Sequence, residues 1–588
     1  MDHTQFFQNS ILDFYFSIGR VSIRKTDIEH YRLLTVLMTK FDKIVFYVKN
    51  SIGEETESPY IKYFDLLYKL ILFSRDITNG LGERTLSHMM LFIWYKYFPV
   101  HAITILNIFP QWSHDKNSVG SWRDIPDFCV FVKHFAGESC PLIDICIGLM
   151  NHQLDLDSRI VGCSDLSLVS KWIPRETSKK VGWMYARFVI QWFQSMNGKD
   201  YFKANNNDPD WNQDKFQEKL DSCKRLYRHT VQKVCTKLDI IESKQCQRKW
   251  DLINPDNVSK TILMRQQNAF LNIYCSGNTR LKSEFFNDRI NCKNKFTIFY
   301  ENRKKISETN IENRDKLYKK GIYSKKHFGI HLGSIVKNVL ETKSVNPNYY
   351  HIPLWRQVHT SIQKYMHRIL PMIDLTAYKH SCFHDSIGIS CMLAQTSSID
   401  SRMIAYHNNT PSWIKLQDLD NELDNIQYAR DLQSIFSRIV QLSIDNNDNN
   451  DNNDNTEHNI IRAFEMICKG FIETNTPTIE VSKMICIVLS PFNGLQQLSQ
   501  NHVDITTLFH NAGYDCPPHI VYWNMAGKVT IDSGLWSIHS LKEMQNCTLL
   551  AGGSSTILRH ISSFNTTDWT SLNSYDFLEK LLEKYVSL

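Results

Sequence analysis

The sequence predicts an α plus α/β protein of two domains: an N-terminal α-helical array over residues 1–350 and a C-terminal doubly wound α/β domain over residues 351–588. Three observations predict this. A chain of 588 residues is longer than one hydrophobic core usually organises. Between about Thr26 and Leu340 apolar residues recur three and four apart, the period of amphipathic helices. Beyond Arg368 short apolar runs alternate with helical stretches, the rhythm of a mostly parallel sheet covered on both faces.

The first twenty residues are rich in Phe and Tyr, and Asp2 and Asp13 stand where a secretory signal would be basic, so no export is expected. Helical spacing follows over residues 31–47, 60–73, 85–97 and 181–193. Such helices cannot bury their apolar faces singly, which predicts a stacked array, although no clean repeat period is visible. The most apolar stretch, residues 86–109, is interrupted by Lys96, Pro99 and His101, so no membrane span is expected. Residues 201–213 (YFKANNNDPDWNQ) read as a polar insertion in an exposed loop. Residues 293–326 read as a basic break, with Arg303, Lys304, Lys305, Lys319, Lys320, Lys325 and Lys326. Such a run is either a solvated face or an anion contact.

In the second domain strands are predicted at 369–375, 402–406, 484–489, 520–523 and 548–550, and helices at 385–394, 432–442 and 460–472. The tract DNNDNNDNNDN, within residues 444–458, is too polar to bury anything and is expected to be a flexible loop. It lacks the glycine turn and the bidentate Glu of a calcium loop.

Charge is unevenly spread. Residues 351–588 hold 16 Lys and Arg against 24 Asp and Glu, whereas residues 1–350 hold 51 against 37, giving about −8 and +14. Either the first part faces a polyanion, or the two domains attract each other. The 15 cysteines show no CxxC pair or zinc-finger spacing and are expected to be reduced thiols. GxSxG, HExxH and GxxxxGK[ST] do not occur, so hydrolase, zincin and P-loop chemistry have no foothold and no catalytic residue is expected. His380, Cys382, His384 and Asp385 cluster in sequence, which reads as a surface loop ahead of any catalytic set.

Basic and aromatic residues supply the binding candidates. In Lys171-Trp172-Ile173-Pro174-Arg175-Glu176, Pro174 is expected to start a helix, with Lys179 and Lys180 one turn on. Cations beside a ring suit single-stranded RNA, through phosphate neutralisation and base stacking; equally, Trp172 can be core and Arg175 can pair with Glu176 or Asp124. Further on, Lys224, Arg225, Arg228, Lys233, Lys237, Lys244, Arg248 and Lys249 lie at spacings that place several on one helical stripe.

The order of several motifs resembles a family of cytosolic proteins that join a helical, HEAT-like TROVE module, as in the Ro RNA-binding proteins, to a C-terminal von Willebrand A-like domain. The motifs are Arg75-Asp76 with Asn79-Gly80-Leu81-Gly82-Glu83-Arg84, Gly120-Ser121-Trp122-Arg123-Asp124, the Lys171–Glu176 segment, Tyr227-Arg228, and Glu242–Trp250. In the second domain they are Ile373-Asp374-Leu375-Thr376, Thr410-Pro411-Ser412-Trp413 and Val521-Tyr522-Trp523-Asn524. The Asn/Asp tract is similar to those of members from giant viruses, implying a cytoplasmic location, or a virion for a viral member. The resemblance implies single-stranded or structured RNA as partner of the helical domain and a protein partner for the A-like domain. It also implies a divalent-cation site on an Asp-x-Ser-x-Ser turn, a loop Thr and an Asp after the fourth strand. Here Asp374 and Thr376 match, Tyr378 replaces the second Ser, and Ser490-Pro491-Phe492 brings no carboxylate. No metal or other cofactor is therefore expected, and Asp374 is expected to cap its own turn. The resulting expectation is a non-enzymatic RNA- or ribonucleoprotein-binding protein, the alternative being a structural, virion-associated component that binds protein and no nucleic acid.

Overall fold

The computed structural model describes residues 3–52, 58–77, 79–110, 119–160, 166–203, 213–238, 240–258, 260–273, 286–307, 332–341, 355–356, 358–359, 362, 368–376, 380, 382–407, 411–416, 425–445, 459–492, 495–526, 544–552, 557–558 and 573–585. Helices come first: α1 (His3–Ser17), α2 (Ile28–Ile52), α3 (Ile61–Arg75), α4 (Arg84–Tyr97), α5 (Pro99–Ile108), α6 (Asp124–Ala136), α7 (Pro141–Arg159), α8 (Val169–Trp172), α9 (Tyr185–Asn197), α10 (Gln213–Lys237), α11 (Ile241–Cys246), α12 (Lys260–Arg265), α13 (Gln267–Phe270) and α14 (Asn287–Ser307). After α15 (Leu332–Glu341) the strands begin: β1 (Ile369–Asp374), α16 (Phe383–Thr396), β2 (Arg402–Tyr406), β3 (Ser412–Lys415), α17 (Asn425–Asp445), α18 (Asn459–Glu473), α19 (Thr478–Val481), β4 (Ile485–Ser490), α20 (Leu495–Asn511), β5 (His519–Asn524), β6 (Cys547–Ala551) and α21 (Ser574–Leu582).

The sheet runs β3-β2-β1-β4-β5-β6 and is parallel except for β3. Its strands are short and apolar because both faces are covered. Leu370, Met372, Val488, Tyr522 and Leu549 pack on one face against Phe464 of α18 and Ile505 and Phe509 of α20. Helix α16 lies against β1, with α15 packed on it so closely that a Cβ on Gly333 would meet Asp385 Oδ1 at 2.5 Å. Periodicity missed β3, a four-residue edge strand after Pro411 in which only Ile414 is buried. Exposed Lys and nearby Pro are usual on such edges. The expected break at 293–326 is helical as far as Ser307: α14 buries Cys292 and Phe296, the latter ring stacked on Phe270 at 4.2 Å. Residues 308–326, and the Asn/Asp tract from 446 on, lie outside the described residues, as do 204–212 of the polar insertion. No described helix is long and apolar enough to cross a membrane.

Compactness divides the chain elsewhere than at 350. One unit comprises Met1–Pro99 with Ile306–Leu588, the other Val100–Lys305. The aromatic N-terminus explains the first unit. Phe16, 1% exposed, belongs to the apolar cluster on the sheet and stacks on Phe492 at 5.8 Å, while Asn524 Nδ2 at the end of β5 donates to the Phe16 carbonyl at 2.7 Å. The turn from α3 to α4 is held in the same unit. Tyr585 donates its hydroxyl to Asp76 Oδ2 at 2.8 Å, and the Lys584 ammonium donates to the Asn79 carbonyl at 3.0 Å. Two glycines are required there. A Cβ on Gly80 would meet the Phe73 carbonyl oxygen at 2.1 Å, and one on Gly552, whose φ is +106°, would meet Leu81 Cδ2 at 2.2 Å.

A buried histidine pair sits at the same edge of the sheet, beside the first residues of β5 and β6. His519 lies between Asn546 Oδ1 at 3.1 Å and Thr548 Oγ1 at 2.9 Å, and His502 lies between the Tyr522 hydroxyl and the Gln545 carbonyl. Burial pulls His519 down to about 4, with His502 adding to the effect against the Asn546 hydrogen bond. The unfolded chain takes up this proton near pH 6.5 while the folded chain refuses it until about pH 4. Stability is therefore full above pH 6.5 and falls by about 3 kcal/mol as pH drops towards 4. Thermal unfolding at a series of pH values is expected to show this fall, and His519→Gln to flatten it. An equally steep fall in the variant would exclude His519 as its source.

Candidate nucleic-acid interface and the Asp374 crevice

The unit Val100–Lys305 holds 31 Lys and Arg against 22 Asp and Glu, a net +9, whereas the rest of the chain sums to −3. Its ten candidate binding residues are positioned by α8, α10 and α11. Helix α10 buries Leu220, Cys223, Tyr227 and Val234, at helical spacing, against α7 and α9. Tyr227 anchors it: its hydroxyl donates to Asn151 Oδ1 at 2.8 Å, and Asn151 Nδ2 donates to the Phe188 carbonyl at 3.0 Å. The opposite face of α10 presents Arg225, Leu226, His229 and Lys233 to solvent.

Helix α8 ends at Trp172, and Pro174 follows it into turns without starting a helix; α9 begins only at Tyr185. Ile173, at ψ 128°, is already extended, as a residue before proline must be. The turn is pinned to α10, because Glu176 accepts from Lys224 Nζ and Arg228 Nη2, each at 3.0 Å. Lys171 Nζ pairs with Glu242 of α11 at 2.8 Å. Partial burial opposes it, yet this ammonium holds the Glu242 carboxyl below its usual range. The predicted stripe from Lys224 to Lys249 is not continuous. Helix α10 ends at Lys237, and Arg248, at φ +57°, and Lys249 lie beyond α11.

The candidates therefore separate into two groups. Lys171, Lys180, Lys224 and Arg228 are tied to carboxylates, Lys180 to Asp127 at 2.6 Å and Lys224 also to Asp221 at 3.0 Å. Arg175, Lys179, Arg225 and Lys249 are exposed and make no ion pair within 4.0 Å among the described residues. Asp124 is buried and accepts from the Ser121 backbone, so it is no partner for Arg175. Trp172 is half-buried with the Arg123 guanidinium 5.3 Å from its ring centre, and Arg248 lies over Phe286 at 5.5 Å. Arg123 itself pairs with Asp127 at 3.3 Å.

The unit that contains the sheet holds the second candidate. The strand order reverses between β1 and β4, and in open α/β sheets ligands bind at the carboxyl ends of the strands at such a point. Asp374 ends β1 there. Its Oδ1 accepts from the Thr376 backbone N–H at 2.9 Å and from Thr376 Oγ1 at 2.6 Å, and its Oδ2 accepts from Ser490 Oγ, at the end of β4, at 2.6 Å. Residue 378 lies outside the described residues. The sequence marked Ser490 as a missing carboxylate; that its hydroxyl closes on Asp374 follows from β1 and β4 being neighbours, which spacing alone does not reveal. Among the described residues no three His, Cys, Asp or Glu side chains are grouped to hold a metal. One carboxylate with two hydroxyls would leave half of an octahedral magnesium shell to water and bring a single negative charge, the makings of a weak and unselective site. Titration calorimetry is expected to show no micromolar magnesium binding; binding that disappears in Asp374→Ala would contradict this.

Near Asp374, Cys382 of the His380 to Asp385 cluster is not an activated nucleophile. Burial pushes the Cys382 thiol up to about 12, with the Asp385 charge adding to it, so it is protonated at neutral pH. Asp385 Oδ1 accepts from the Gly333 backbone at 3.0 Å, His380 faces Glu29 at 3.8 Å, and His384 is drawn below its usual value by burial and by Lys337. Set against family models, curated proteins and solved structures, the chain matches none.

Proposed function

We propose that the chain is a non-enzymatic RNA- or ribonucleoprotein-binding protein, its basic helical unit holding RNA and its α/β unit serving as a metal-free interaction scaffold. In this reading the helical part is a HEAT-like array and the sheet domain is von Willebrand A-like. One observation carries it: Arg175, Lys179, Arg225 and Lys249 stay exposed and make no ion pair among the described residues, while Lys171, Lys180, Lys224 and Arg228 are paired with carboxylates. Cations left unpaired on a unit of net +9 attract a polyanion, and RNA is the polyanion named by the resemblance to Ro-type proteins. The Asp374 carboxylate, occupied by Thr376 and Ser490, supports a scaffold role over a metal switch. Crosslinking the protein in cells and sequencing the attached nucleic acid is expected to return RNA well above background. Recovery of none would favour a structural, protein-binding component.

A further inference from the structure

We infer that the surface formed by the described residues around Arg175, Lys179, Arg225 and Lys249 reads the ribose-phosphate backbone of RNA and makes no stacking contact with the bases. The inference rests on the RNA-binding reading above and narrows it. Recognition of single strands places unstacked bases on exposed aromatic rings. In the described part of the unit Val100–Lys305, the large apolar side chains that reach solvent are nearly all aliphatic, Leu226 at 58% and Leu252 at 55% among them. Phe286, 44% exposed, is the one exposed aromatic there, and Arg248 already lies over its ring.

The half-buried tryptophans among the described residues of the unit are covered in the same way. Arg123 is 5.3 Å from the Trp172 centroid, Lys133 is 4.4 Å from that of Trp183, and Arg289 is 3.7 Å from that of Trp250. A cation over an aromatic face is itself a favourable contact, so an arriving base would have to displace it. No comparable obstacle guards Arg175, Lys179, Arg225 and Lys249. The Glu176 bridge to Lys224 and Arg228 keeps the turn bearing Arg175 and Lys179 against α10, which bears Arg225, and the Lys171 to Glu242 pair keeps α8 beside α11, just ahead of Lys249. What these segments jointly offer is positive charge with hydrogen-bond donors, which matches phosphate oxygens and carries no sequence information.

The test uses the full chain and fluorescence anisotropy with two labelled strands of equal length at the same salt, a mixed-sequence RNA and its abasic counterpart lacking every base. Each stacked base is worth roughly fivefold or more in affinity. The expected result is that the abasic strand binds within about tenfold of the RNA. A larger loss would overturn the inference while leaving RNA binding intact. Failure of both strands to bind at low salt would overturn the RNA-binding reading and this inference with it.

Discussion

Replacing Arg175, Lys179, Arg225 and Lys249 together by glutamine is expected to weaken RNA binding about a hundredfold near physiological salt and to leave the fold intact. Each cation that neutralises a phosphate releases roughly 0.7–0.9 of a counterion, so removing four should flatten the dependence of log affinity on log salt by about 3. The fold survives because these side chains are exposed and make no ion pair among the described residues, and surface changes of that kind usually fall within about 0.5 kcal/mol. The contrasting variant replaces Lys224 and Arg228. Both are bound to Glu176, so their loss strands that carboxylate and loosens the turn on α10, costing up to about 1 kcal/mol of stability, with a smaller change in the salt slope. Anisotropy titrations at several salt concentrations, with thermal melts, separate the two. Equal losses of affinity in both variants would remove the distinction between paired and unpaired cations.

The second large effect lies in the other unit. Phe16→Ala is expected to destabilise the sheet-containing unit by about 3–5 kcal/mol, the usual cost of emptying a buried aromatic site. Phe16 is 1% exposed, stacks on Phe492, and its carbonyl is the acceptor for Asn524 Nδ2. A denaturant transition shifted by less than about 1 kcal/mol would mean that α1 is an accessory to the sheet rather than part of its core.

The contrast between these two sites explains what the sequence made legible. Strands β1, β2, β4, β5 and β6 announce themselves because a strand buried on both faces must be a short apolar run. Strand β3 does not, since an exposed edge strand has little apolar signal to give. The attachment of α1 to the sheet was hidden because Phe16 and Asn524 are partners 508 residues apart, and periodicity is blind to such pairs. Its trace was the run of Phe and Tyr in the first twenty residues, more than a solvent-facing helix uses. The same blindness affected the basic candidates. Lys171 and Arg175 look alike in sequence, and only the fold brings Glu242, 71 residues on, to Lys171 while leaving Arg175 at the surface. At Asp374 the sequence identified the carboxylate and the hydroxyl of Thr376, and the neighbouring strand supplied Ser490.

The central claim, that exposed unpaired cations hold an RNA backbone, is tested most directly by the salt dependence of RNA affinity in the unmodified full-length chain. A log–log slope of about −3 or steeper is predicted. A flat dependence, or no binding at low salt, would contradict it.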